Sequence, residues 1–146
     1  ANYGTALESA LKMGETIHIP SCCYEIEEYI HGPNLQLTPQ YNVIFFDGND
    51  GASRRVEQVY KATRKVTNRA YLISNNPQFS RGGHVLSLSD TVSSELSPLV
   101  YLPFVQLLSF IVSNDLHSIY QHPLLKEFKA IAAAKTENFV NYDGDD

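Results

Sequence analysis

Two apolar runs constrain this chain more than any other feature. "NVIFFDG" (42–48) and "RAYLISN" (69–75) each carry consecutive apolar residues that end in turn formers. Such a run has no polar alternate face, so it reads as a short strand buried on both sides. Between them, "GASRRVEQVYKATRKV" (51–66) is amphipathic, with Val56, Val59, Tyr60, Thr63 and Val66 on one side of a predicted helix. A shorter apolar run, "HVLSL" (84–88), follows. Strands that alternate with helices imply an α/β domain with a mainly parallel sheet, and ligands of such sheets bind beyond the carboxyl ends of the strands.

The flanks are helical. "ANYGTALESALKMGE" (1–15) is predicted as a helix, with Thr5 as its cap and Leu7, Ala10, Leu11 and Gly14 at helical spacing. A chain that opens inside a helix is expected to be a piece of a longer protein. "TIHIP" (16–20) has the pattern of a short strand, and "CYEIEEYIHG" (23–32) that of a second helix stopped by Gly32-Pro33. Helix dominates from Ser94 to Lys135, where Pro98, Pro103 and Pro123 are expected to divide it, and residues 140–146 are expected to be a disordered tail. The longest apolar stretch, Leu99 to Val112, is shorter than the ~18 residues of a membrane-span candidate and reads as a buried helix or a subunit contact.

With 146 residues, 43% of them hydrophobic, the chain can bury one domain core. Its net charge of −5 and the lack of a basic stripe argue against nucleic acid and anionic membrane as main partners. A phosphorylated ligand stays open, because helix ends and a few lysines can outweigh net charge. The two cysteines, Cys22 and Cys23, are adjacent and cannot build a disulfide framework, which fits a reducing cytoplasm.

Glu8, Lys12 and Glu15 follow i, i+4 and i+3 spacing and share one helix face. They read either as a solvated ion-pair stripe or as a carboxylate beside an ammonium, poised for proton transfer in enediol chemistry. His31 reads either as a residue favoured at a helix C-terminus or as a proton shuttle at sugar oxygens, and Glu28, three residues earlier, is placed to orient it. Lys135 alone reads as a solvated lysine. Gly48-Asn49-Asp50-Gly51 matches no full phosphate-loop pattern and reads as a strand-to-helix turn. The remaining histidines show no metal-ligand spacing, so no metal or other cofactor is inferred.

"ALESALKMGETIHIPSCCYEIEEYIHGP" (6–33) resembles the second sugar isomerase (SIS) domain of the two-domain phosphosugar isomerases. That group includes the fructosamine-6-phosphate deglycases and the isomerase half of glucosamine-6-phosphate synthase. The family helix Glu-x-Ala-Leu-Lys-x-x-Glu matches at Glu8, Lys12 and Glu15, and the corner Glu-x-x-His-Gly-Pro at Glu28, His31, Gly32 and Pro33. From Glu15 to His31 is sixteen residues, as in the family. "PFVQLL" (103–108) is similar to the family's Pro-x-x-Gln-Leu-Leu helix, and Lys135-Thr136 to its C-terminal Lys-Ser/Thr segment.

The resemblance implies a three-layer, flavodoxin-like SIS domain over residues 1–146, the C-terminal half of a double-SIS chain. It implies Glu15 as the base between C1 and C2, and Lys12 and Lys135 as supports for the open-chain sugar. His31 would aid ring opening, with Glu8 and Glu28 as supporting groups. Its implied partners are a phosphorylated sugar or sugar-amine, the first SIS domain of the same chain and further copies in a homo-oligomer. The family's Ser-x-Ser-Gly-x-Thr phosphate loop is missing here and is expected in that first domain, so this chain alone is expected to be inactive. "EEYIHGP" differs from the "ELKHGP" of the synthase and leans towards the deglycases. The synthase and a non-catalytic phosphosugar sensor are the alternatives.

Overall fold

Both long apolar runs form strands. The computed structural model describes residues 2–79, 82–88 and 92–118, together with residues 128, 130 and 131. Strand β1 (Val43–Phe46) lies parallel to β2 (Ala70–Ser74), pairing Val43 with Ala70 and Phe46 with Ile73. Strand β3 (Val85–Ser87) pairs parallel on the other side of β2, which gives the sheet order β1-β2-β3. The expected α/β class is therefore the observed one. Central β2 buries Ala70, Leu72, Ile73 and Ser74. In β1 only Phe45 is fully buried, because among the described residues β1 has a neighbour on one edge alone.

Among the described residues, three α-helices precede the last one, α4 (Ser97–Leu116). Helix α1 spans Tyr3–Ile17, α2 spans Ile26–Ile30 and α3 spans Ser53–Thr63. Helix α3 covers the sheet with Val56, Val59, Tyr60 and Thr63. Val66 falls beyond its end and is exposed, contrary to the periodic reading. Phe45 sits at the centre of the core, with the rings of Tyr60 and Tyr29 each edge-on to it at 5.9 Å. Burying such aromatic and aliphatic side chains is worth about 1.5–3 kcal/mol each.

Two local expectations fail at α1. Its cap position is Asn2, while Thr5 lies inside the helix and donates its hydroxyl to Asn2 Oδ1 at 3.1 Å. "TIHIP" is not a strand: Thr16 and Ile17 close α1, His18 turns left-handed at φ 60°, and residues 18–25 form no regular element. A strand needs a neighbour for its backbone groups, and none of the described strands lies beside this segment. Helix α2 is shorter than predicted because a capping box fixes its start: Glu25 accepts the N–H of Glu27 and Glu28, and Glu28 accepts that of Glu25. Pro33 then opens a 3-10 turn over Pro33–Gln36, so the Gly32-Pro33 stop acts as expected.

Helix α4 runs unbroken over Ser97–Leu116 after a 3-10 turn at Ser94–Leu96. Pro98 lies in its first turn, where a missing N–H costs nothing. Pro103 does not divide it: this residue faces solvent, where water can take the carbonyl that loses its partner. The inward side carries Ser97, Tyr101, Val105, Ser109 and Ser113, one every fourth residue. The outward side carries Leu99 (73% exposed), Leu107 and Phe110 (61% exposed), so the apolar face is not the buried one. Helix α1 packs on α4 through similarly small residues, Thr5 and Ser9, and Asn2 Nδ2 donates to Ser97 Oγ at 2.8 Å.

With its preceding turn, the helical stretch Ser94–Leu116 reaches 23 residues and a mean hydropathy of 1.7, long and apolar enough by those measures to cross a membrane. That corrects the length expectation taken from Leu99–Val112. Its Ser109 and Ser113 hydroxyls donate to carbonyls of the helix itself, while the Tyr101 hydroxyl bonds outside it, to Asp47 and Asn75.

The carboxyl ends of the strands meet α4 in a buried polar cluster. Asp47, fully buried after β1, accepts the Ser53 hydroxyl on one oxygen and the Ser74 hydroxyl at 2.7 Å on the other. The Tyr101 hydroxyl accepts the Asn75 N–H at 2.9 Å, and its one proton has the Asp47 carbonyl at 2.8 Å or Asn75 Oδ1 at 2.9 Å as acceptor. Burial pushes Tyr101 up to about 12, with the charge of Asp47 adding and the Asn75 hydrogen bond opposing. Removing the hydroxyl strands buried partners at a cost of about 1–3 kcal/mol. Tyr101→Phe is thus expected to lower the unfolding free energy by that amount, read as a lower urea midpoint with an unchanged slope. A raised tyrosine contributes stability that is fully present below pH about 10, where folded and unfolded chains both hold the proton. Between pH 10 and about 12 the unfolded chain releases it first, so wild-type stability is expected to fall there and that of Tyr101→Phe to fall less.

Candidate functional site

The second half of α1 brings charge to a groove. Lys12 Nζ lies 2.8 Å from Glu15 Oε2 and 3.5 Å from Glu8 Oε1, so the i+3 and i+4 spacing does place all three on one face. The hydrogen bond to Glu15 raises Lys12 above its usual range, against a smaller opposing effect of burial, and keeps it an ammonium at neutral pH. These side chains are a third to a half exposed, so the pairs are worth less than about 1 kcal/mol and do not hold the fold together. Chemically they set a carboxylate and an ammonium within one hydrogen bond of each other.

Beside them Ala10, Leu11, Gly14, Glu15 and Ser21 line an open groove of about 460 Å³. Of the six residues singled out in the sequence, only Glu15 lines it among the described residues. Ser21 comes from the irregular 18–25 segment, just beyond the 16–20 stretch expected to be a strand. No sequence pattern marks it, because its position depends on where α1 ends.

His31 is the residue that closes α2; its backbone N–H donates to the Glu28 carbonyl at 3.1 Å and its side chain is exposed. Among the described bonds none joins the Glu28 carboxylate to the His31 ring; one of its oxygens accepts the Glu25 N–H in the capping box. His31 and Glu28 are not brought to the groove within this chain. Lys135 lies outside the described residues. Helix α2 itself is tied to α3: Arg55 Nε and Nη2 reach the two Glu27 carboxylate oxygens at 2.7 and 3.2 Å, and Tyr29 Oη lies 3.2 Å from Thr63 Oγ1.

The loop after β1 offers little to an anion. Asn49 is left-handed at φ 50°, and Asp50 accepts the Ala52 N–H at 2.8 Å while its own N–H donates to Ser53 Oγ. This is the strand-to-helix turn expected, and its two carboxylates, Asp47 and Asp50, would repel a phosphate. A Cβ at Gly48 would meet Asp50 Oδ2 at 2.5 Å, so any larger residue there would displace the Asp50 side chain. The buried Asp47 cluster was not visible in the sequence, where an acid closing an apolar run reads as a turn residue. Cys22 and Cys23 are both free thiols; burial, then the Glu28 charge, pushes the Cys23 thiol up.

Lys12→Gln should leave the unfolding free energy from urea titration within about 0.5–1 kcal/mol of wild type, because it removes only exposed pairs. A larger loss would mean that the α1 stripe serves the fold and not a site.

No family model and no curated protein matches the chain. Solved structures do. A Clostridium difficile 630 protein provisionally described as a phosphosugar isomerase aligns over 94% of this chain with a TM-score of 0.73 and 22% identity. A Salmonella typhimurium LT2 protein provisionally described as sugar-binding aligns over 75% with a TM-score of 0.64 and 30% identity. The chain spans 38% and 33% of the lengths of those two proteins. The α/β fold assembled above is theirs.

Proposed function

We propose that the protein containing this domain acts on a 6-phosphorylated ketosamine of the fructosamine 6-phosphate type, by proton transfer between C1 and C2. The observation that carries the reading is the Lys12–Glu15 pair at the edge of the groove. Glu15 takes the proton from carbon, and Lys12 stands where charge develops on the adjacent oxygen. Such charge stabilisation by a preset cation is worth several kcal/mol in the transition state, far more than the exposed pair contributes to folding. Lys135 is assigned the second cationic role, His31 ring opening, and Glu8 and Glu28 support. Proton transfer turns the ketosamine into an imine; in a deglycase, water then adds to the imine carbon and the amine leaves.

The fold shared with a protein described as a phosphosugar isomerase supports this reading. So does the openness of the groove, which one domain walls on one side only. The phosphate seat and the opposite wall are assigned to a first SIS domain of the same chain, and His31 to the site of a neighbouring copy. The outward leucines and Phe110 of α4 suit such cover. A non-catalytic sugar sensor is the second reading, favoured by the likeness to a protein described as sugar-binding.

The test assays the whole protein with fructosamine 6-phosphates, and with fructose 6-phosphate plus ammonia, beside Glu15→Gln. Turnover of the first substrate, reduced at least about 100-fold in kcat by Glu15→Gln, is expected. Turnover of the second alone would make it a synthase, and phosphosugar binding without turnover would make it a sensor. A Glu15→Gln protein as active as wild type would end the enzymatic reading. The domain alone should turn over neither substrate.

A further inference from the structure

We infer that Arg55 is a positioning residue for His31, acting through Glu27 and the short helix α2; the inference rests on the proposed role of His31. Helix α2 has five residues and no fully buried side chain. A helix this short does not stand alone in water, so its place is set by what it touches. Its capping box joins α2 only to itself. Ile26, Tyr29 and Ile30 pack partly against the core, an apolar contact that is non-directional, and the Tyr29 hydroxyl adds one hydrogen bond with Thr63 Oγ1 at 3.2 Å, a single point about which the helix can still turn.

The contact that fixes an angle is the fork between Arg55 and Glu27, two nearly parallel hydrogen bonds at 2.7 and 3.2 Å. Paired guanidinium–carboxylate bonds carry geometric specificity that a single bond lacks. Glu27 stands four residues before His31, one turn back along the same side. A rotation of α2 that breaks the fork therefore moves His31 as well. The Glu27 carboxyl is held below its usual range chiefly by the Arg55 hydrogen bond, with a smaller opposing effect of burial, and the charges of Arg55 and then His31 add to the lowering.

Energetics separate position from stability. Arg55 and Glu27 are 41% and 51% exposed, so water screens the pair and it contributes little to the stability of the fold. Arg55 is not among the residues that line the groove beside α1. A displacement of an ångström at a reacting group, by contrast, can reduce turnover by about 100-fold.

The test uses the whole protein with Arg55→Met, Glu27→Gln and the double variant. Arg55→Met is expected to lower kcat about tenfold with KM within about twofold, and to move the His31 imidazole resonances in NMR spectra. Glu27→Gln should do the same, and the double variant should be no worse than either single one, because both act through one contact. Unchanged kcat and unchanged His31 resonances in Arg55→Met would overturn the inference. So would additive losses, which would mean that Arg55 acts by another route. If the wild type turns nothing over, the proposed function fails separately, and the resonances in the three variants still decide whether Arg55 places His31.

Discussion

A buried carboxylate that must not be left bare governs how this domain closes. Asp47 is fully enclosed at the end of β1, and its oxygens are satisfied by Ser53 at the start of α3 and Ser74 at the end of β2. Its carbonyl and the neighbouring Asn75 engage the hydroxyl of Tyr101 on α4. An enclosed charge without partners costs several kcal/mol, so these residues, distant in sequence, have to meet. The Ser53, Ser74 and Tyr101 hydroxyls thus cluster around Asp47 at the end of β1. An open groove lies beside α1, next to Glu15 and Ser21.

The pairing of α1 with α4 follows from the same economy of space. Small hydroxyl-bearing residues face inward on both helices, while leucines and Phe110 face out. A lone surface helix usually has the reverse pattern. An apolar outer stripe beside a half-walled groove is the arrangement expected where more polypeptide completes both surface and site, and it accords with the proposed double-SIS organisation.

Legibility in the sequence tracked how local each determinant is. "VIFF" and "AYLIS" were readable as parallel strands because a continuous apolar run needs no distant information. The shared face of Glu8, Lys12 and Glu15 was readable because i+3 and i+4 spacing is a property of any helix. "TIHIP" misled because a strand pattern states a preference and not the presence of a neighbour. Pro103 misled because its cost depends on whether water reaches the freed carbonyl. Glu25 and Glu28 spelled out a capping box, yet Glu28 was read as a partner for His31. Asp47, Tyr101 and the Arg55–Glu27 fork were illegible, since each takes its meaning from residues far along the chain, and Ser21 because its place depends on where α1 ends.

Whether Glu15 meets a sugar is the direct question. A crystal structure of the whole protein with a 6-phosphorylated ketose or ketosamine bound measures it. The account predicts C1 and C2 of the open-chain sugar within about 3.5 Å of the Glu15 carboxylate, with Lys12 turned towards the sugar oxygen. A sugar bound elsewhere, with Glu15 still paired to Lys12 and touching no ligand, would contradict it.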